Sequence, residues 1–252
     1  MCLLVLLAGY LKSAAQGPPI TADKPVMLGE KSWVLKSLTE IRHTDEGQFI
    51  KAPLMVHYLP TANSLVGVHL PFVHSNFDGM EADQSLGDIE LLAKYQFYRK
   101  DGKGKTFRLV AKTLQILPTG KALNLEGISM DAYQSYVGLI AGYESLKYGI
   151  SNELAYNFQP STNMDELRYQ ISFGLPLMKP SYPVKKVNLY FEYQSSWFVH
   201  LEEYLLLYAQ GIQLAKGQFT IEAAVQFPLV QTASAQRLQR KVSVFLGTRY
   251  IF

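Results

Sequence analysis

The sequence predicts an all-β fold: a single closed antiparallel transmembrane β-barrel of about twelve strands, with both termini on the periplasmic side. Three observations predict it. Segments of about ten to fourteen residues alternate apolar and polar side chains with period two, and turn residues separate them. Aromatic residues gather near the ends of those segments. The last segment, running from Val242 to Phe252, alternates Val242, Val244, Leu246, Thr248, Tyr250 and Phe252.

In chain order the first feature is a short apolar run. Leu3–Leu11 is followed by Lys12-Ser13-Ala14-Ala15-Gln16. A helix needs roughly twenty apolar residues to cross a bilayer, so this run suits the core of an export signal covering 1–15, cut after Ala15. No Lys or Arg precedes it, so either the true start lies upstream or the signal is atypical. Residues 16–31 read as a periplasmic N-terminal segment or a partial plug, for which Asp23 and Lys24 beside Pro25 are suited. The barrel is expected over 32–252.

Three segments begin the barrel: Ser32–Arg42, Gln48–Leu59 and Ser64–Val73. Asp88–Tyr98 follows, with Ile89, Leu91, Ala93, Tyr95 and Phe97 opposite Asp88, Glu90, Lys94 and Gln96. Next come Thr106–Leu117, Ala132–Tyr143 and Lys147–Phe158. Glu166–Leu177 sets Leu167, Tyr169, Ile171, Phe173, Leu175 and Leu177 against Glu166, Arg168, Gln170, Ser172 and Gly174. Lys186–Trp197 is the clearest, with Val187, Leu189, Phe191, Tyr193 and Trp197 on one face and Lys186, Asn188, Tyr190, Glu192, Gln194 and Ser196 on the other. Glu203–Gln213, Gln218–Leu229 and Lys241–Phe252 complete the set. The connections at His74–Leu86, Pro118–Asp131 and Gln231–Arg240 are long and polar, and strand counting puts all three at the outer end.

Bulk properties agree. Apolar residues make up 48% and charged residues 18%, with 16 Tyr and 13 Phe. The mean hydropathy of +0.01 is what cancelling lipid-facing and lumen-facing positions give. A net charge of +3, with no Lys/Arg run longer than two, argues against a nucleic-acid partner. The one cysteine, Cys2, falls in the export signal, so the mature chain has no disulfide.

A soluble sandwich or lipocalin would point the apolar face inward. Here the polar face carries charges of both signs: Lys36, Glu40, Glu90, Lys94, Arg108, Lys112, Glu153, Arg168, Glu192, Glu222 and Arg249. These suit the wall of a wet lumen, as a selectivity filter or a packing network. By the same parity Arg42, Lys147, Lys186, Lys241, Asp88 and Glu166 also face inward. Tyr58, Phe72, Phe97, Tyr133, Tyr143, Tyr148, Phe158, Trp197, Tyr204, Phe227 and Tyr250 read as two interfacial girdles. Tyr250 and Phe252 together form a candidate signal for the outer-membrane assembly machinery.

Short motifs add a resemblance. Gly87-Asp88-Ile89-Glu90-Leu91-Leu92-Ala93-Lys94-Tyr95-Gln96-Phe97, then Leu117-Pro118-Thr119-Gly120, and earlier Asp23-Lys24-Pro25, are similar to elements of the outer-membrane proteins of the phenol-degradation MetA-pathway family. The likeness follows the layout of the chain but does not extend through 160–213. It implies a small outer-membrane barrel that passes small molecules; phenol as substrate does not carry over.

No catalytic constellation is legible. The histidines are His43, His57, His69, His74 and His200, without a metal-binding or hydrolase spacing. His57 and His69 fall on inward parity and read as hydrogen-bonded lumen residues. Met80, Met130 and Met164, near His74 and Asp78, are a weak soft-metal pattern outweighed by loop packing. Asp101-Gly102-Lys103-Gly104-Lys105 has the wrong spacing for a phosphate loop and reads as a hairpin turn. The expected function is therefore a narrow channel or facilitator for small solutes in the outer membrane of a Gram-negative cell. The alternatives are a non-conducting structural or accessory barrel and, further off, a lipid-modifying enzyme. No cofactor and no metal are expected. The expected partners are outer-membrane lipid and lipopolysaccharide, the assembly machinery and a small solute.

Overall fold

A computed structural model describes residues 19–25, 27, 29–78, 81–120, 132–179, 185–232 and 239–252. The expected export signal at 1–15, Met80 and Met130 lie outside the described residues. The strands are β1 (Ser32–Thr44), β2 (Gly47–Thr61), β3 (Ser64–Phe77), β4 (Asp83–Leu86), β5 (Ile89–Gly102), β6 (Lys105–Leu117), β7 (Gln134–Ser145), β8 (Gly149–Phe158), β9 (Glu166–Pro176), β10 (Lys185–Phe198), β11 (Glu203–Lys216), β12 (Phe219–Thr232) and β13 (Arg240–Ile251).

Each strand pairs antiparallel with its neighbours, and the last closes on the first from Val34↔Ile251 to Thr44↔Arg240. β4 and β5 occupy the same flank of β3, through Phe72↔Leu86 and Ser64↔Tyr95, so they are two pieces of one stave broken at Gly87-Asp88. The thirteen strands thus form a closed barrel of twelve staves. Closure leaves the sheet without an open edge, which a sheet in lipid requires.

The alternation sorts side chains as a membrane barrel needs. Leu54, Val66, Leu91, Val137, Leu139, Leu154, Ile212, Ile221 and Leu246 are exposed on the outer face. Glu153, Glu192, Glu222, Asn188 and Gln213 are buried inside. A water-soluble protein would not leave so continuous an apolar band uncovered. Aromatic contacts group near the strand ends. Trp33–Tyr58, Tyr143–Tyr148 and Tyr250–Phe252 lie toward the rim of short turns, and Tyr208–Phe227 lies further along the wall.

Three sequence expectations are corrected. The connection expected at His74–Leu86 is mostly strand, because β3 runs on to Phe77 and β4 pairs with it. Lys147 lies exposed in the β7–β8 turn, outside both strands, instead of facing the lumen. Lys241 is exposed as well: the register slips between His43 and Thr44, and that bulge turns Arg240 into the lumen in its place. Beyond the bulge the expected parity of the last strand holds, with Leu246 and Tyr250 outward and Arg249 inward.

Candidate functional site

The lumen is the site. All eleven predicted wall charges sit on inner-face positions, and most are brought into pairs. Lys36 meets Glu222 at 3.2 Å, and Lys112 meets Glu153 at 3.0 Å. Arg42 forks onto Glu40 at 2.8 and 3.1 Å, and Arg168 onto Glu166 at 2.8 and 2.6 Å. These forks join residues two apart on one strand, whose side chains share a face. Glu90 accepts from Lys51 at 2.7 Å and contacts His69 Nδ1 at 2.8 Å; His69 Nε2 in turn meets His57 Nε2 at 2.9 Å. Arg249 donates to Thr220 Oγ1 at 3.3 Å, and Arg108 to Thr106 Oγ1 at 3.4 Å nearer the short-turn rim.

Two of the predicted residues, Lys94 and Glu192, find their partners on neither neighbouring strand. They hold residues 19–25, which lie inside the barrel. Glu192 accepts the backbone N–H groups of Ile20 at 2.8 Å, Thr21 at 2.8 Å and Ala22 at 2.6 Å, and also the Thr21 hydroxyl. Three successive N–H groups converging on one carboxylate make an anion nest in reverse, with the anion supplied by the wall. Asp23 bridges Lys94 at 2.5 Å and Lys112 at 3.0 Å, so one carboxylate ties two staves. Lys24 pairs with Glu144 at 2.7 Å, and Ser151 Oγ donates to the Asp23 carbonyl at 2.7 Å. Burial alone would raise the Asp23 pKa; Lys112 and Lys94 outweigh it and hold the carboxyl well below the usual carboxylate range.

The wall is also shaped for this segment. Gly142 on β7 faces Pro25, where a Cβ would stand 2.5 Å from the proline Cγ. Gly211 on β11 faces Ile20, where a Cβ would stand 2.4 Å from Cδ1. Ile20 packs with Tyr190, Ala224 and Phe245 in a small apolar cluster. The residues that sequence reasoning missed are those serving this packing: Lys51, Glu144 and the two glycines. Asp23 and Lys24 were legible as plug-like residues, but their partners were not.

Around the segment lies a cavity of about 270 Å³ that Lys36, His57, His69, Lys94 and Arg249 help to line. Beyond it, toward the rim of the β6–β7 and β12–β13 connections, a second of about 400 Å³ opens among Arg42, Arg168, Arg240, Tyr136 and several amide side chains. Among the described residues no group of three or more His, Cys, Asp or Glu is placed to hold a metal ion. Met164 is buried at the rim of the wider cavity.

The Gly87-Asp88 and Pro118-Thr119-Gly120 motifs meet in space. Asp88 Oδ1 accepts the N–H groups of Thr119 at 3.1 Å and Gly120 at 2.9 Å, while Thr119 Oγ1 accepts from Ile89 N at 2.9 Å. A Cβ at Gly120 would lie 2.5 Å from the Gly87 carbonyl carbon. The Gly-Asp and Pro-Thr-Gly elements are one clamp that fixes the break in the stave to the end of β6. At the other end of the chain Phe252 N donates to Trp33 O at 2.9 Å, so the last residue is sewn beside β1.

No protein-family model matches the chain, and no curated protein matches it in sequence. Solved structures do match in fold. An outer-membrane channel of the COG4313 group from Pseudomonas putida F1 superposes with a TM-score of 0.67 at 11% identity, covering 94% of this chain and 100% of the other. The KdgM porin superposes with a TM-score of 0.57 at 10% identity, covering 87% and 99%. The same porin in complex with disordered oligogalacturonate gives 0.57 at 9% identity, with the same coverage. The chain therefore has the fold of outer-membrane barrel proteins.

Proposed function

We propose that this chain is an outer-membrane channel for small polar solutes, in which residues 19–25 form an internal constriction. The observation that carries the reading is the inner wall: its charges are paired around an inserted segment, with open volume on the side away from the short turns. Charged and amide side chains beside open volume along the barrel axis are what a path for polar solutes requires. The similarity in fold to a COG4313 channel and to KdgM supports the reading.

The eleven wall charges set selectivity in this account, with Lys94, Lys112 and Glu192 also holding the constriction. The chain enters with its termini on the periplasmic side, residues 1–15 direct export, and Tyr250 and Phe252 engage the assembly machinery. The exposed apolar band meets outer-membrane lipid and lipopolysaccharide. The clamp formed by Asp88 and Gly120 supports membership of the MetA-pathway family, since the family-like residues hold one another. Catalysis has no part in the proposal.

Planar-bilayer recording of refolded protein tests it. A channel shows discrete conductance steps, and Lys112→Glu shifts the reversal potential toward cation preference. The inserted segment also favours a second reading, a non-conducting barrel. Current at the noise level under all solutes would establish that reading and end the first.

A further inference from the structure

Two imidazoles in the narrower cavity point their Nε2 atoms at each other. His57 Nε2 and His69 Nε2 stand 2.9 Å apart, with ring centroids 5.1 Å apart. His69 Nδ1 lies 2.8 Å from Glu90 Oε2, and Lys51 holds the other oxygen of that carboxylate at 2.7 Å. A carboxylate ionised beside a lysine only accepts, so the Nδ1 proton of His69 belongs to this bond. Neutral His69 therefore turns the lone pair of Nε2 toward His57, and His57 supplies the proton between them. A carboxylate behind a histidine, fixing which nitrogen faces forward, is the usual support of a metal ligand.

The backbone brings a third donor. Met55 and His57 are two apart on β2 and share its inner face, and Met55 stands directly opposite His69 on β3. Side chains so opposed have Cβ atoms about 4.5–5.5 Å apart. Gly67, opposite His57, leaves space for its ring: a Cβ there would stand 2.5 Å from His57 Cδ2. Met55, His57 and His69 all line the cavity of about 270 Å³. With metal–imidazole bonds of about 2.0–2.1 Å, the observed separation of the two Nε2 atoms closes an angle of about 90°, and opening it by about 0.6 Å gives the angle of about 120° of a three-coordinate ion.

The donor set selects the ion. Imidazole with thioether suits Cu(I) and its redox-inert analogue Ag(I), whereas zinc takes four ligands in a closed site. Charge points the same way. Among the described residues the one carboxylate lining this cavity, Asp23, is already shared by Lys94 and Lys112, and Glu90 behind His69 is held by Lys51. A divalent ion would find no anion of its own.

We infer that Met55, His57 and His69 form a binding site for one soft monovalent cation, Cu(I) or Ag(I). The site goes beyond the channel reading and does not depend on it. Binding moves the His57 proton from Nε2 to Nδ1, so both Nε2 lone pairs face the ion and no proton is lost.

Isothermal titration of the refolded full chain with silver nitrate, in detergent micelles and chloride-free buffer, measures the site. A Cys2→Ser background removes the one thiol. One Ag(I) per chain is expected, bound at least about a hundredfold more tightly than Zn(II). Met55→Leu, which conserves volume, should weaken Ag(I) about tenfold, and His57→Gln should weaken it further. Nitrogen-15 NMR of histidine-labelled protein should show Ag(I) shifting Nε2 of two residues. Glu90→Gln should weaken Ag(I) about 10- to 100-fold and spread the His69 shift over both ring nitrogens. Heat-modifiable gel mobility checks that each variant remains a folded barrel. No Ag(I) binding by the folded parent, Zn(II) bound as tightly as Ag(I), or unchanged Ag(I) affinity in folded Met55→Leu or His57→Gln overturns the inference.

Discussion

Gly142→Ala is the sharpest perturbation the structure offers, because the added methyl group meets the inserted segment before it meets the barrel. Its Cβ would stand 2.5 Å from Pro25 Cγ and 2.7 Å from Cδ, while the nearest wall atom, Ile150 O, lies at 3.6 Å. An ordinary contact begins at 3.4 Å, so Pro25 must retreat by at least about 0.9 Å. The residues beside it leave little slack: Lys24 is fixed to Glu144 at 2.7 Å and Asp23 to Lys94 at 2.5 Å. Overpacking of this kind costs about 1–3 kcal/mol. Charged against the docked state alone, that raises the undocked fraction about 5- to 150-fold. In planar bilayers Gly142→Ala should conduct more often, or in larger steps, than the parent. Pro25→Ala removes the clashing ring carbons, so the double variant should behave like Pro25→Ala alone. A folded Gly142→Ala barrel with the parent's conductance would refute the reasoning, because the segment would then not lie on the conducting path.

Further outcomes follow from the same contacts. Because Lys94 and Lys112 depress the docked Asp23 pKa, its contribution to docking is full above the free carboxylate value, about 4, and is lost only as pH falls through the depressed docked value. Conductance should therefore be flat from about pH 5 to 8 as far as Asp23 is concerned, and Asp23→Asn, which leaves two lysines without their shared carboxylate, should raise it at every pH in that range. Lys36→Met strands the buried Glu222 carboxylate, at a cost of about 3–5 kcal/mol, and should lower the urea midpoint followed by tryptophan fluorescence; Lys36→Met with Glu222→Leu should recover most of the loss. Leu139→Arg places a charge on the exposed apolar band and should cost about 2–4 kcal/mol in the yield of folding into vesicles. Unchanged yield would place Leu139 away from the lipid midplane.

The sequence shows the barrel better than it shows the interior. Period-two alternation survives wherever one face meets lipid and the other a charged lumen, as in Lys185–Phe198 and Glu166–Pro176, so those strands were legible. At the rims both faces are polar, and His74, Ser75 and Asn76 read as a loop although backbone pairing carries β3 through them. The bulge that exchanges Lys241 for Arg240 leaves no mark in composition, since a register slip is set by the partner strand. The inward charges were legible as a set, but not as pairs. Glu192 and Ile20 are 172 residues apart, and no local pattern links them. Gly142 and Gly211 look like ordinary strand glycines until Pro25 and Ile20 are placed beside them.

The most direct test of the account is the unitary conductance of the full chain beside that of a variant lacking residues 19–25. The account predicts small, resolvable steps for the full chain and steps several-fold larger for the deletion, with the larger steps more sensitive to charge reversal at Lys112. Noise-level current through the folded deletion variant would contradict it, because a lumen freed of its inserted segment would still not conduct.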